Sequence, residues 1–206
     1  MFESENIRAV IWDMGGVLLR TENPEPRVGL ANKLGITRNE IEEIVFESES
    51  SKLAGVGSIT AKQHYAWLAK NFDLNEEEMQ SFWQGFWGGD VMDPVLVEFV
   101  RKLKTVYKTG LLSNAWDDAR EVVGGNHDFL DAFHYSVFSG EVKMAKPDAA
   151  FFELILKELD VNAAASIFID DLQENIDAAN KAGMIGIRFL SRDQILDELK
   201  PLIRKK

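Results

Sequence analysis

The sequence predicts an α/β fold: a doubly wound parallel sheet into which a helical domain is inserted. Short apolar runs rich in branched or aromatic residues end in small or polar ones, which is typical of buried parallel strands. Amphipathic helical patterns alternate with the later runs, whereas a long stretch after the first run is helical throughout. These two observations together favour a parallel sheet interrupted once.

The predicted strands are four segments: "AVIWD" (9–13), "KTGLLSN" (108–114), "SIFIDD" (166–171) and "GIRFL" (186–190). Helical patterns precede the last three of them: "PVLVEFVRKLKT" (94–105), "DAAFFELILKEL" (148–159) and "ENIDAANKAG" (174–183). Gly183 suits the C-terminal cap of the last helix. In such sheets the ligand site lies beyond the carboxyl ends of the strands.

Residues 20–90 contain helical patterns without a convincing strand, at 26–34, 38–48, 60–72 and 75–87. Thr60 is a suitable N-cap for the third of these helices. The stretch ends in "WGGDVMDP" (87–94), whose glycines and proline suit a hinge. We therefore predict a core of residues 1–19 and 91–206, and a helical cap of residues 20–90.

Composition narrows the class of protein. A chain of 206 residues with 46% hydrophobic residues can bury a substantial core. A net charge of -11 disfavours nucleic-acid and anionic membrane partners. The apolar runs are strand-sized and the start "MFESEN" is acidic, so we expect neither a membrane span nor a signal peptide, and a cytoplasmic location by default. The absence of cysteine excludes thiolate chemistry, and the oligomeric state stays open.

Polar residues stand at the carboxyl ends of three predicted strands: Asp13, Ser113, Asn114, Asp170 and Asp171. Each has an ordinary explanation as a turn or helix-cap residue. Parallel strands end at one edge of a sheet, so we expect these five side chains to converge there.

In this order, the residues resemble the four motifs of the haloacid dehalogenase superfamily, from residue 7 to about 190. The motifs are Asp13–Val17, Ser113–Asn114, Lys146–Pro147, and Asp170–Asp171 with Asn175 beyond it. The helical stretch is similar to the α-helical cap of a subgroup that includes many small-molecule phosphatases. The form of the first motif resembles that of glucose-1-phosphate-type phosphatases.

The resemblance implies a phosphatase that acts on a small phosphorylated metabolite, such as a sugar phosphate. Asp13 would attack phosphorus and form an aspartyl-phosphate. Lys146 would neutralise the transferring group and keep Asp13 ionised, and Pro147 would help to aim it. Ser113 and Asn114 would bind phosphoryl oxygens.

The same resemblance implies a Mg²⁺ cofactor. Its protein ligands would be Asp13, the backbone carbonyl of Gly15 and Asp171. Asp170 would not bind the cation directly: it would contact it through a water molecule or would contact the ligands themselves. Magnesium keeps several of its waters, so this small set of oxygen ligands suffices.

Gly15 departs from the family pattern, because most of its phosphatases have a second Asp at this position as general acid. Such an acid contributes about 10² to 10⁴-fold to the rate. The substrate could have a good leaving group, or the protein could be a 2-haloacid dehalogenase, or it could bind phosphorylated ligands without turnover. Asp170 and Asp171 disfavour the dehalogenase, because a metal-free site for an anionic haloacid gains nothing from two further negative charges.

Other conspicuous residues have simpler interpretations. His64, His127 and His134 lack ligand spacing and are expected on the surface or in the core. An aromatic group in the helical stretch is expected to pack: Phe82, Trp83, Phe86 and Trp87. Trp116 and the "AGVGSIT" loop with Ser58 could instead contact substrate.

Overall fold

A computed structural model describes residues 7–203 of the chain, so the acidic start "MFESEN" and the basic residues 204–206 lie outside the described residues. A five-stranded parallel sheet has the order β5-β4-β1-β6-β7, which confirms the predicted fold class. Its strands are β1 (Ala9–Trp12), β4 (Lys108–Ser113), β5 (Tyr135–Phe138), β6 (Ser166–Asp170) and β7 (Ile185–Arg188). The nucleophile candidate Asp13 thus follows the central strand.

The four predicted strands are all present, with ends that differ by one or two residues. β5 was not predicted; it is a four-residue edge strand that starts at the exposed Tyr135. Only two of its residues are buried, so its sequence lacks the continuous apolar run of the inner strands.

Helices cover both faces of the sheet, because successive strand residues point to opposite sides. Val10 and Trp12 pack in one core with α6 (Pro94–Lys104) and α11 (Arg192–Leu199). Ala9 and Ile11 pack in the other, with α9 (Ala149–Leu159) and α10 (Gln173–Lys181). The remaining helices of this part are α7 (Ala119–Asn126) and α8 (Ser139–Val142), with 3₁₀ turns at Leu130–Ala132 and Ala163–Ala165.

The helical segment, residues 25–87, comprises α1 (Glu25–Lys33), α2 (Arg38–Glu42), a π-helical turn (Glu43–Glu47), α3 (Glu49–Gly55), α4 (Ala61–Asn71) and α5 (Glu76–Trp87). It has its own apolar core around Phe82 and Phe86. The predicted N-cap Thr60 is confirmed: its side chain accepts from the Gln63 N–H, in a capping box. The helical pattern predicted over 38–48 is confirmed as far as Glu47, although the helix is α-helical only to Glu42 and continues as a π-helical turn before Ser48 caps α3.

A two-stranded antiparallel ribbon joins the ends of this segment. β2 (Leu19–Thr21) pairs with β3 (Asp90–Met92). The expectation that residues 20–90 contain no strand is therefore wrong at both ends; three-residue strands are too short to show alternation in the sequence. Among residues 7–203, no helix combines the length and apolar character needed to cross a membrane.

Candidate active site

Four of the predicted site residues meet at the carboxyl edge of the sheet. Ser113 ends β4, Asp13 follows β1, Asp170 ends β6 and Asp171 comes next. Because β1 lies between β4 and β6, the three strand ends are neighbours. The predicted convergence is therefore observed for the carboxylates of Asp13, Asp170 and Asp171.

Lys146 reaches this edge from the loop before α9 and joins two of the carboxylates. Its Nζ lies 2.8 Å from Asp13 Oδ1 and 2.7 Å from Asp170 Oδ2, and all three side chains are buried. Burial would lower the Lys146 pKa, but the charges and hydrogen bonds of the two carboxylates outweigh it and raise that pKa. Lys146 is therefore an ammonium at neutral pH.

Asp13 is held in a defined orientation. Its backbone N–H donates to the Ile169 carbonyl at 2.8 Å, and Oδ1 accepts from the Met14 N–H at 2.7 Å. Burial raises the Asp13 pKa to about 7, and the nearby charge of Asp170 adds to this, although Lys146 opposes both. The site thus contains more negative charge than Lys146 alone can balance.

Asp13, Asp170 and Asp171 offer carboxylate oxygens that lie within 4.8 Å of one another. Burial and the charge of Asp170 also raise the Asp171 pKa. An all-oxygen cluster with excess negative charge fits a hard divalent cation such as Mg²⁺. Asp170 is already hydrogen bonded by Lys146 Nζ and by the Leu172 N–H at 2.8 Å, which makes Asp171 the better placed direct ligand of the two.

The two glycines after Asp13 have different surroundings. Gly16 has φ +73°, and a Cβ there would overlap the carboxylate of Asp171. Gly15 has nothing within 4 Å of the position that a Cβ would take. Gly16 is therefore required by the backbone and by Asp171, whereas no steric reason requires glycine at position 15.

Asn114 makes a contact that the sequence did not predict. Its Nδ2 donates to the Lys146 carbonyl at 2.9 Å, and its Oδ1 accepts from the Lys146 N–H at 2.8 Å. Both ends of the side-chain amide hold the backbone of Lys146, so Asn114 positions Lys146, and its phosphoryl contact stays a prediction. Ser113 is buried at the end of β4, as expected of a residue on the sheet edge.

The family profile of the haloacid dehalogenase-like hydrolases matches residues 7–183 of this chain. The chain belongs to this family. It is 30% identical over 203 residues to the sesquiterpene phosphatase AstK of Aspergillus oryzae, a match that covers 95% of this chain and 96% of that protein. It is 27% identical to the drimenol cyclase DrtB of Aspergillus calidoustus, over 94% of this chain but only 36% of that protein.

Solved structures share the fold of this haloacid dehalogenase-like hydrolase. A family enzyme from Bacteroides thetaiotaomicron, crystallised with magnesium and inorganic phosphate, has a TM-score of 0.75 and 24% identity, covering 90% of this chain and 96% of that one. A predicted hydrolase of the family from Porphyromonas gingivalis has a TM-score of 0.79 and 18% identity, covering 98% of this chain and 100% of that one.

Asn175 is a site residue of this hydrolase to which sequence reasoning gave no role. It lies on α10, is buried, and donates to the carboxylate of Asp170. The signal was present, since an Asn five residues after Asp170 lies in the first turn of the helix that leaves the sheet edge. Its partner could be identified only from the structure.

The remaining predicted features are mostly structural. His64 is fully buried in the helical segment, with ring nitrogens near Ser50 Oγ (3.1 Å) and the Val45 carbonyl (3.2 Å). No histidine joins the metal-binding group found among the described residues. Phe82 and Phe86 pack as expected. Trp116 lies among the rings of the helical segment, 4.8 Å from the His64 ring centre.

Proposed function

We propose that this hydrolase is a Mg²⁺-dependent phosphatase that transfers a phosphoryl group from a small phosphorylated metabolite to Asp13 and then to water. The observation that carries the proposal is the Lys146 ammonium, held between Asp13 and Asp170 beside Asp171. The sequence similarity to AstK, whose name describes a phosphatase, supports it.

In the first step an Asp13 oxygen bonds to phosphorus while the bond between phosphorus and the alcohol oxygen breaks, and the departing alkoxide takes a proton from water. In the second step water attacks the same phosphorus and releases phosphate and free Asp13. Lys146 and the bound cation together would keep Asp13 ionised, and Lys146 would offset the charge of the transferring group. Ser113 would donate its hydroxyl to a phosphoryl oxygen, and Asn114 would fix the Lys146 backbone.

The Mg²⁺ ligands would be Asp13, the carbonyl of Gly15 and Asp171, with Asp170 acting through water. When bound, the cation neutralises phosphoryl charge and orients the phosphate for in-line attack. Among the residues that bind it, Asp13 and Asp171 have raised pKa values, so each would release any proton it holds as the cation enters.

The leaving alcohol must depart without the usual general acid, because position 15 is glycine. A sugar 1-phosphate meets this requirement through its anomeric oxygen. The aromatic surroundings of Trp116 favour instead the phosphate ester of an apolar alcohol, whose alkoxide would depend on water for the proton that the missing general acid would give. The polar groups there bond within the protein: Trp116 Nε1 with Ser51, and the Tyr65 hydroxyl with Asp118. The name of AstK agrees with such a substrate.

The helical segment would act as a cap that closes over this organic part and excludes water. Its π-helical turn carries Phe46, whose ring stacks on Trp116 at 6.3 Å. Trp116 follows Ser113 by three residues, a span of at most about 11 Å. The aromatic rings around Trp116 would thus lie close enough to contact the organic part of a substrate whose phosphate is bound at Ser113.

The test is phosphate release from purified protein, with and without Mg²⁺, using farnesyl phosphate, 4-nitrophenyl phosphate and glucose 1-phosphate. We expect Mg²⁺-dependent release and its loss in Asp13→Asn. Asp160→Asn is the matched control, because Asp160 is exposed and has φ +53°, which Asn adopts readily. Metal-independent halide release from 2-haloacids without phosphate release would identify a dehalogenase instead. Phosphate binding without either activity would indicate a non-catalytic binding protein.

A further inference from the structure

Three consecutive residues after the Ser113–Asn114 loop contact the helical segment through their side chains. The contacts reach α3 and both the start and the second turn of α4: Trp116 Nε1 to Ser51 Oγ (3.2 Å), the Ala61 N–H to Asp117 Oδ1 (2.7 Å), and the Tyr65 hydroxyl to Asp118 Oδ2 (2.7 Å). One short loop of the sheet edge therefore holds two helices of the segment.

The side chain of Asp118 binds the helical segment and does not cap its own helix, α7. It is the N-cap residue of α7, where an Asp side chain normally accepts a backbone N–H of the first turn. Asp118 makes no such hydrogen bond, and its carboxylate accepts the Tyr65 hydroxyl instead. The contact with the helical segment thus takes the place of a local stabilising one.

Asp117 completes the N-terminus of α4. The first N–H groups of a helix have no partner within it. Thr60 satisfies the Gln63 N–H, and Asp117 satisfies that of Ala61 from the other side of the interface. A carboxylate at a helix N-terminus is also favoured by the helix dipole. The sheet-edge loop and α4 are therefore complementary in hydrogen bonding and in charge.

The base of the same loop is fixed to α8, the short helix that follows β5. Ala115 exchanges hydrogen bonds with the Ser139 hydroxyl, at 2.9 and 3.0 Å, and its carbonyl accepts the Gly140 N–H at 2.9 Å. A Cβ on Gly140 would lie 2.6 Å from the Asp117 nitrogen, so the two backbones touch. Ala115 and Asp117 are therefore held against the same helix, and Ala115 directly follows Ser113 and Asn114 in the chain.

We propose that Trp116–Asp118 is a latch that couples the position of the helical segment to the phosphate-binding loop Ser113–Asn114. The three residues are positioning residues: they hold the segment closed, and closure in turn fixes the loop that binds phosphate. Because such coupling is reciprocal, phosphate bound at the loop stabilises the closed segment by the same factor. The binding of phosphate at Ser113–Asn114 and the kinetic consequence rest on the proposed function, whereas the contacts between the latch and the helical segment do not.

Hydrogen exchange measured by mass spectrometry tests the latch in the full chain, with and without Mg²⁺ and inorganic phosphate. In Asp117→Ala and Tyr65→Phe, we expect exchange over residues 49–71 to accelerate about 3- to 10-fold, the equivalent of one lost hydrogen bond. Exchange in β1 and β6 should not change. The KM for 4-nitrophenyl phosphate should rise by a similar factor while kcat stays within about twofold.

Two variants serve as controls. Asp117→Asn keeps an oxygen that can accept the Ala61 N–H, so it should restore exchange and KM to within about twofold of wild type. Tyr135→Phe removes a hydroxyl from the exposed edge strand and should change neither quantity.

Exchange and KM within twofold of wild type in both latch variants would overturn the proposal, as would equal acceleration throughout the sheet. If the wild-type protein hydrolyses no phosphate ester, the proposed phosphatase fails, and exchange over 49–71 still decides whether the latch exists.

Discussion

The side-chain amide of Asn175 donates to both carboxylate oxygens of Asp170, at 3.0 Å each. Asp170 in turn accepts from Lys146 Nζ, which also lies against Asp13. A buried chain of contacts therefore runs from α10 to Asp13, the proposed nucleophile, and its outer member, Asn175, reaches Asp13 through Asp170 and Lys146.

Replacement of Asn175 by Ala should reduce kcat/KM for phosphate release by about 10- to 100-fold, the usual effect of losing a residue that orients a metal-site carboxylate. Asp170 would lose two hydrogen bonds and Lys146 its fixed partner. Steady-state kinetics with a thermal melt tests this. Asn175→Asp, which places a second carboxylate against Asp170, should lower activity further; unchanged kinetics in both variants would contradict the positioning role.

The glycine pair after Asp13 gives a second prediction. Gly15→Ala should keep most of the phosphate-release activity, because its Cβ would enter open space. Gly16→Ala should lower that activity more than about tenfold, because position 16 has a positive φ and a Cβ there would overlap Asp171. Gly15→Asp should equal or exceed wild type because it adds a carboxyl able to act as general acid. A large loss in Gly15→Asp would mean that position 15 requires glycine for a reason other than space.

The raised Asp13 pKa predicts a pH-dependent Mg²⁺ affinity. The folded, metal-free chain keeps a proton on Asp13 up to about pH 7, whereas the unfolded chain loses it near 3.8. This proton therefore favours folding at low pH, and the benefit disappears as the pH rises through 7.

Mg²⁺ must displace the same proton, so its affinity should rise about tenfold per pH unit below 7 and level off above it. Calorimetry in two buffers of different ionisation enthalpy should detect about one proton released per Mg²⁺ at pH 6 and fewer at pH 8.5. A flat affinity with no proton release would contradict this pKa.

The contacts of Asp93 predict an effect on folding stability at a position outside the candidate active site. It caps α6 through the Val95 and Leu96 N–H groups, and it pairs with Arg20 of β2 at 2.8 Å. Burial opposes its ionisation, but the Arg20 and backbone hydrogen bonds together lower its pKa. Its stabilising effect is present above the unfolded pKa of 3.8 and is lost as the pH falls through the lower folded value.

Asp93→Ala should cost about 2 to 4 kcal/mol of unfolding free energy, because both the helix cap and a buried ion pair are lost. Asn is an equally good N-cap, so Asp93→Asn should cost less, and the difference reports the ion pair with Arg20. Urea unfolding at neutral pH measures both. Equal losses in the two variants would assign the whole effect to the charge.

The sequence predicts the sheet well because the inner strands are continuous apolar runs that end in polar residues. The edge strand Tyr135–Phe138 and the ribbon of β2 and β3 escaped prediction, because their short segments lack periodicity and form only through pairing with distant residues. The π-helical turn after α2 likewise depends on packing, since its residues continue the helical pattern of the sequence.

The site residues were predictable as a set, but their partners were not. The positions of Asp13, Ser113, Asp170 and Asp171 at the ends of predicted strands identified them as candidate site residues. The pairing of Asn114 with the backbone of Lys146 joins residues that are 32 positions apart, and only the fold brings them together. A polar residue near a site can bind substrate or hold a neighbour, and residue type alone does not distinguish these roles.

The central position of β1 has a consequence for how the protein is made. Ala9 pairs with Lys108 on one side and with Ser166 on the other, so β1 has no pairing partner until residues much later in the chain are synthesised. Folding dominated by such distant pairing is slow and leaves apolar strands exposed in the meantime. During translation, the "AVIW" segment therefore stays unpaired longer than any other strand of this sheet.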